Sequence, residues 1–419
     1  MVNDPAQLGA PGMAGGGLRP EQALLRITLA VMMAMSLWLT ASALAPTLAS
    51  WWHLSLGDTL WVTSAVQLGF VAGALLSATM GLPDRVPPRT LFTVAALAAA
   101  LANGLFIWLG SWAWLGLGLR FLTGMALAGV YPVAVQLVAG WFPRGRGLAT
   151  GILISGLVLG SALPHLMLSL GALGHWQWLM GGCSILALAG AALVRWLPDS
   201  PQPFRPPAFR WGDLGAVLHD RPVMLANLGY FGHNWELYAM WSWLPLFLLQ
   251  SLSPYWHGAA LDIRTAWVAF IGIGLAGALG SLLGGWAADR WGRTITTVGA
   301  LAVSGGCTLL IGGTYGGVPW VTVLVVLLWG TSVVADSAQF STAVTELSDR
   351  DRLGSALTLQ MAIGFLITMG SIGCVGWLLP LVGWQWAFWP LVLGPVAGIA
   401  AMLSLRRRPE AIRLAHGRR

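Results

Sequence analysis

Twelve long apolar runs follow one another along the chain, at roughly 24–46, 58–80, 91–110, 112–139, 148–170, 177–196, 222–250, 263–286, 295–314, 318–345, 354–378 and 386–405. About 20 such residues, wound as a helix, reach across the ~30 Å hydrocarbon layer of a bilayer. Inside that layer the backbone must satisfy its own polar groups, which leaves helices or closed barrels. Composition agrees, since 57% of the 419 residues are hydrophobic and only 9% charged. An ordinary soluble domain carries about 25% charged residues, so this chain cannot cover a water-facing surface. The expectation is an all-α membrane protein with twelve transmembrane helices. The first run follows a Gly/Pro-rich start expected to be disordered. It is too long for the ~7–15-residue apolar core of a secretory signal.

The charges orient these helices. Every one of the 22 basic residues is Arg, and the net charge is +7. With the N-terminus inside, all but Arg120 and Arg264 fall in cytoplasmic segments. That bias fixes topology in membrane proteins. Trp51, Trp52, Trp112, Trp114, Trp176, Trp256 and Trp384 fall near the opposite ends, as an aromatic belt requires. The basic charge is therefore topological, and a nucleic-acid partner is excluded. Cys183, Cys307 and Cys374 each lie within an apolar run, where they read as small buried hydrophobes. They give neither a disulfide framework nor metal-ligand spacing.

Pro198, Pro201, Pro203, Pro206 and Pro207 interrupt the chain between the sixth and seventh runs. The expected domains are a disordered cytoplasmic N-terminus (1–23), a six-helix bundle (24–196), a cytoplasmic linker (197–221), a second six-helix bundle (222–405) and a basic cytoplasmic tail (406–419). Three local echoes link the halves in the same order. Asp84-Arg85 matches Asp289-Arg290 at an offset of 205, Gly147-Leu-Ala149 matches Gly354-Ser-Ala356 at 207, and His175-Trp-Gln-Trp178 matches Gly383-Trp-Gln-Trp386 at 208. The bundles are thus expected to be pseudo-symmetric, about an axis along the membrane normal.

Between the eighth and ninth runs stands Gly285-Trp-Ala-Ala-Asp289-Arg290-Trp-Gly292-Arg293. Gly292 offers the backbone freedom of a tight turn. Asp289 suits the positive end of a helix, and the arginines suit acids and lipid headgroups. The stretch resembles the loop signature of the major facilitator superfamily, G-x-x-x-D-R-x-G-R-[RK], with Thr294 in the last position. Gly81-Leu-Pro-Asp84-Arg85-Val-Pro-Pro-Arg89 is its weaker echo, with Pro87 and Pro88 in place of the glycine turn. Arg120-x-x-x-Gly124 is similar to the family's fourth-helix signature. The resemblance implies a cytoplasmic gate at these loops and a substrate cavity between the bundles, opened alternately to each side. It also implies that Arg120 assists proton movement, although pairing with a backbone carbonyl or an acid is the alternative.

Ionisable groups inside hydrocarbon are costly and usually face a cavity or a partner. Few remain once the loops are set aside: Arg120, His165, His233, Glu236 and Asp336, with Glu346 at the cytoplasmic edge. His233 and Glu236 are three apart, Asn234 and Tyr238 four apart, so each pair shares a helix face. Gly229, Gly232 and Pro245 suggest that this helix bends or breaks. Low dielectric disfavours a charged carboxyl group, so Glu236 is the candidate proton carrier, tuned by His233. The bland alternative is a neutral pair tying helices together. Asp336, with Gln339 on its face, lies about 15 Å from the cytoplasmic end at ~1.5 Å per residue. Gly129 aligns with it in the first half, so the repeat does not demand the acid. Glycines 147, 151, 156 and 160 would allow close helix contact in the fifth run; His165, beyond Pro164, reads as structural.

The leading expectation is a secondary transporter of a small organic solute, coupled to protons, acting as a monomer in the cell inner membrane with both termini cytoplasmic. No cofactor, no metal and no enzyme chemistry are expected, since neither a phosphate cradle nor a nucleophile–base set is present. Drug or metabolite efflux by proton antiport is the first alternative. A nitrate-like porter is disfavoured. The resemblance implies mid-helix arginines in the second and eighth runs of such carriers. Here the second run has Gln67 and no arginine, and Arg264 stands only at the outer mouth of the eighth. Copper transport would rest on Met32, Met33, Met35, His233 and Met240. A non-transporting sensor is the last alternative.

Overall fold

The computed structural model describes residues 18–54, 58, 60–142, 146–171, 175–201 and 209–418. Among them the chain is helical throughout, with short turns. Ten helical stretches are long and apolar enough to cross a bilayer, against the twelve expected. The two that fall short are the first and the seventh, each for its own reason. The first is broken: Pro20–Met35 ends, residues 36–39 are non-helical, and Thr40–Ala43 and Ala45–Trp51 follow. The seventh, Arg221–Leu252, is a single helix of 32 residues diluted by Asn227, His233, Asn234 and Glu236.

That continuous seventh helix excludes a break, although Pro245 lies within it. Its glycines serve contact instead. A Cβ on Gly229 would run into the Phe340 ring, and one on Gly232 into the carbonyl of Gly394. Large apolar side chains stand on the outside, among them Trp108, Trp178, Trp320, Trp377 and Leu393, each more than 60% exposed. An outer surface of that kind suits lipid and not water.

The repeat seen in sequence recurs in the elements. The third and ninth segments start at Pro88 and Arg293, the fifth and eleventh at Arg146 and Leu353, the sixth and twelfth at Trp176 and Trp384. These starts differ by 205, 207 and 208, the offsets of the sequence echoes. The fourth segment (Ala113–Leu127, then Tyr131–Trp141) is interrupted at 128–130, and the tenth (Pro319–Ala335, then Ser337–Leu347) at Asp336. Gly129 and Asp336 are 207 apart. Glycine contacts repeat too: a Cβ on Gly124 would overlap the carbonyl of Val66, and one on Gly330 that of Gly272. Both members of that pair shift by 206, so close packing of segments two on four is rebuilt as eight on ten.

Where the halves meet, the fifth segment lies along the eighth, and the second (Leu60–Thr79) along the eleventh (Leu353–Val382). Ser281 Oγ donates to the Gly151 carbonyl at 3.1 Å across the first of these seams. The eighth segment is a π-helix over Phe270–Ala276, between Gly258–Ala269 and Gly277–Trp291. Such a bulge widens the turn where that helix runs between the fifth and tenth segments.

The two signature turns differ. Gly292 has φ 95°, a conformation glycine adopts without strain, and Arg293 opens the ninth helix at once (Arg293–Ile311). In the first half Gly81, at φ 62°, makes the bend instead, a short helix Leu82–Arg85 follows, and Pro88 sits in the first turn of the next segment. The glycine absent after Arg85 is thus supplied before it.

Candidate functional site

The seventh helix presents two faces, and they lead to different places. On one, His233 and Glu236 point into the second half. His233 Nδ1 lies 2.8 Å from Asp336 Oδ1, with both side chains 1% exposed. The approach is close but not aligned as a hydrogen bond. The other ring nitrogen, Nε2, is 3.1 Å from Ser337 Oγ. The Tyr230 and Phe340 rings pack on the imidazole at 6.1 and 5.7 Å between centroids. Glu236, fully buried, accepts from Trp329 Nε1 at 2.7 Å and from Ser304 Oγ at 2.8 Å. The acids therefore sit among segments seven, nine and ten, at the point where the tenth helix is interrupted.

On the other face, Asn234 and Tyr238 look toward the eleventh segment and the first half. A Cβ on Gly364 would clash with Asn234 Nδ2 and the Tyr230 ring. Tyr238 packs on Phe365 at 5.1 Å and on Trp38 at 5.9 Å, and Trp38 meets Phe70 at 5.2 Å. These rings join residues of the first, second, seventh and eleventh segments. Gln360, Gly364 and Thr368 follow at intervals of four, so they form one stripe of about 12 Å on the eleventh helix. Thr368 Oγ1 donates to Gln67 Oε1 of the other half at 2.9 Å, and Ser341 Oγ to Gln360 Oε1 at 3.0 Å. Gln67, Asn234 and Gln360 each keep an amide atom without a partner, and Trp241 keeps its ring N–H. Unpaired buried donors and acceptors are costly and call for an explanation.

Arg120 is committed elsewhere. Its guanidinium donates to the carbonyls of Leu37 at 2.7 Å and Trp38 at 3.1 Å, and to Asn103 Oδ1 at 2.8 Å. Leu37 and Trp38 lie in the broken stretch of the first segment, whose freed carbonyls it caps. Gln339 does not join Asp336: its Oε1 accepts from Arg293 Nη1 at 2.8 Å. Arg293 also makes a two-pronged contact with Glu346, at 2.8 and 2.6 Å. Arg290 lies over the Trp286 ring, 5.8 Å from its centroid. A Cβ on Gly147 would lie 3.0 Å from both carboxylate oxygens of Asp289, so that side chain spans from the second half to the start of the fifth helix. Gly285 faces the same stretch, its nearest neighbour being the Gly147 carbonyl.

In the first half, Arg89 donates to the Leu197 carbonyl at 2.5 Å and pairs with Asp199 at 2.7 Å, tying the third segment to the end of the sixth. Arg85 is exposed, and the Asp84 side chain lies outside the described residues. The position matching Arg89 is Thr294, which accepts from Arg406 Nη1 at the end of the twelfth segment, at 3.0 Å. Arg406, at the end of the twelfth helix, thus brings a basic group to the position where the second signature lacks one.

Sequence reasoning missed Trp329, Ser304, Gln360 and the aromatic group around Trp38. Trp329 was within reach, since it stands seven residues before Asp336 and so shares its face. A cavity of about 430 Å³ lies apart from all of these, on the flank between segments two, three and four, lined by Leu76, Leu91, Leu105 and Leu122 among others.

A model of the Major Facilitator Superfamily matches residues 27–335, about three quarters of the chain. The niacin transporter NiaP of Acinetobacter baylyi is 30% identical over 164 residues, covering 37% of this chain and 35% of that one. A quinolone resistance transporter of Acinetobacter baumannii is 25% identical over 287 residues, 62% of each. The 3-(3-hydroxy-phenyl)propionate transporter of Escherichia coli K12 is 31% identical over 208 residues, 45% of this chain and 47% of that one. The matched regions thus span between about a third and three fifths of these curated relatives. Among solved structures, the proton:xylose symporter XylE bound to 6-bromo-6-deoxy-D-glucose has the same fold, with a TM-score of 0.70 over 92% of this chain and 94% of that one, at 14% identity. With its helices, its repeat and its loop signatures in place, the chain is a multi-pass membrane protein that belongs to the major facilitator superfamily.

Proposed function

We propose that this protein moves a small organic solute across the cell inner membrane by alternating access, with both termini in the cytoplasm, and that protons drive it. The family and the matched relatives are transporters, not enzymes. The rocking bodies would be residues 24–196 and 222–405 of a monomer. The solute would bind at the seam where Asn234, Gln360 and Gln67 keep unpartnered amide atoms beside the rings of Tyr238, Phe365 and Trp38. Those groups suit a small ring compound bearing hydrogen-bonding substituents. Niacin and hydroxyphenylpropionate, the solutes in two relatives' names, have that chemistry.

One observation carries the coupling. His233 and Asp336 meet, buried, at a helix interruption that the first half reproduces with Gly129 instead of an acid. The fold therefore needs the break but not the charge. Protonation of Asp336, with Glu236 held a turn away, would change the affinity of the tenth segment for His233 and so bias one state over the other. The test is uptake of labelled niacin and hydroxyphenylpropionate by proteoliposomes under an imposed pH gradient. Uptake that ignores the gradient would refute the coupling. Efflux in exchange for protons is the second reading, supported by the quinolone resistance relative; the direction of driven movement in the same vesicles decides it.

A further inference from the structure

The basic stretch beyond the twelfth segment is not a free tail. Pro409–Gly417 forms a short 3-10 helix, and Ala411 and Leu414 are fully buried. They complete an apolar cluster with Val344, Leu347, Met402 and Leu405 at the cytoplasmic end of the second half. Ala415 is held at φ 47°, in the left-handed region that a residue with a Cβ rarely adopts. Its N–H donates to Glu346 Oε2 at 3.1 Å. Arg413 Nη1 donates to the Leu347 carbonyl at 3.1 Å, capping the tenth helix, and Arg418 Nη1 donates to the carbonyl of Asp289. An unfavourable backbone conformation persists only where its surroundings over-determine it. Four independent contacts do so here.

The acceptors are not arbitrary. Glu346 is the carboxylate that grips Arg293, and Asp289 is the residue whose side chain crosses to Gly147 in the other half. We propose that residues 409–418 are a strap that latches the cytoplasmic gate. It ties the turn at Asp289 to the end of the tenth helix, so that segments eight, nine and ten move there as one body. While the strap is seated, Asp289 stays aimed at the fifth helix and the cytoplasmic side is held shut. Release of the strap frees the turn and admits the cytoplasm-open state. This inference rests on the alternating-access reading given above.

The experiment places spin labels across the gate, at Leu148→Cys and Ile295→Cys, both exposed positions, in a Cys374→Ala background that leaves only the buried Cys183 and Cys307. A second pair, Leu170→Cys and Tyr255→Cys, reports on the outer side. Distances are measured by double electron–electron resonance in nanodiscs, with and without Leu414→Asp. Amide hydrogen exchange over residues 410–418, accelerated by at least about tenfold, verifies that the strap has been released, since exchange follows the locally open population. The expected result is a new, longer distance across the cytoplasmic pair in the released protein. An unchanged distribution with the strap demonstrably free overturns the proposal. Should Leu414→Asp fail to fold, Arg418→Ala, which removes only the contact to Asp289, must show the same shift in lesser degree or the proposal fails. If the cytoplasmic pair opens while the outer pair does not close, the strap stands and alternating access falls.

Discussion

Asp336 Oδ1 approaches His233 Nδ1 to 2.8 Å between two helices of the same half, and neither group reaches solvent. Burying two such groups together is weak evidence for stability, because their desolvation offsets most of any attraction between them. Asp336→Asn keeps the shape and one acceptor but cannot exchange a proton. Gradient-driven uptake by that variant is expected to fall by at least about tenfold, a change of ~1.4 kcal/mol in the driven step. Solute exchange at equal pH on both sides should persist. Loss of exchange as well would show that the residue binds solute or holds the fold.

Glu236 is bonded by two donors, Trp329 and Ser304, and each is fully buried with it. Trp329→Phe would leave a carboxyl oxygen without a partner in the interior, a loss of about 1–3 kcal/mol by the usual cost of an orphaned buried group. Glu236→Gln should be milder, because an amide can still accept from the indole and donate to the hydroxyl. Thermal unfolding in detergent checks the order: Trp329→Phe must lie below Glu236→Gln. The reverse order would mean that the carboxylate's charge, and not its hydrogen bonding, is what the site requires.

Much of this arrangement is legible in the sequence, and the part that is not has a physical cause. Apolar length, arginine placement and three local echoes were enough for the helices and the halves, because each is a one-dimensional signal. Spacing by helix face put His233 beside Glu236, yet the imidazole turns to Asp336 and Ser337 while the carboxyl takes Trp329 and Ser304. What spacing could not say is where each face points, and the two lead away from each other, one into the second half and one to the seam. The break at 36–39 left no trace, since no Pro or Gly marks it. It is held by Arg120, 82 and 83 residues away along the chain. Likewise Gln339 seemed to belong with Asp336 until Arg293 claimed it.

Arg120 should resist replacement by lysine. Its fork reaches the Leu37 and Trp38 carbonyls and Asn103 together. An ammonium on a flexible stem is a point charge and cannot reproduce that geometry. Arg120→Lys is expected to lower thermal stability by the equivalent of about 2–3 kcal/mol, on the scale of hydrogen bonds to charged groups. If Arg120→Lys unfolded at the wild-type temperature but lost gradient coupling, the arginine would be a proton-pathway residue and not a clamp on the broken segment.

Asp289 offers the cleanest separation of gating from binding. Its two carboxylate oxygens flank Gly147 at the first turn of the fifth helix, which runs Arg146–Ser169. The amide dipoles there carry a partial positive charge, and a carboxylate beside them is favoured by about 0.3–1 kcal/mol when exposed and up to ~2 when partly buried. Asp289→Asn keeps the shape and removes the charge, so it weakens the contact between halves without touching the seam at Asn234 and Gln360. Gly147→Ala acts from the other side, since a Cβ there would press on both oxygens and force the side chain outward. Both variants should change turnover several-fold in the same direction, while the dissociation constant for bound solute shifts only by the change in state population. Because the two substitutions break one contact, their effects should not add, and a double mutant resembling either single one is the expected outcome. Additive effects, or a lost binding site in Asp289→Asn, would mean that the carboxylate and the glycine do not meet in the working protein.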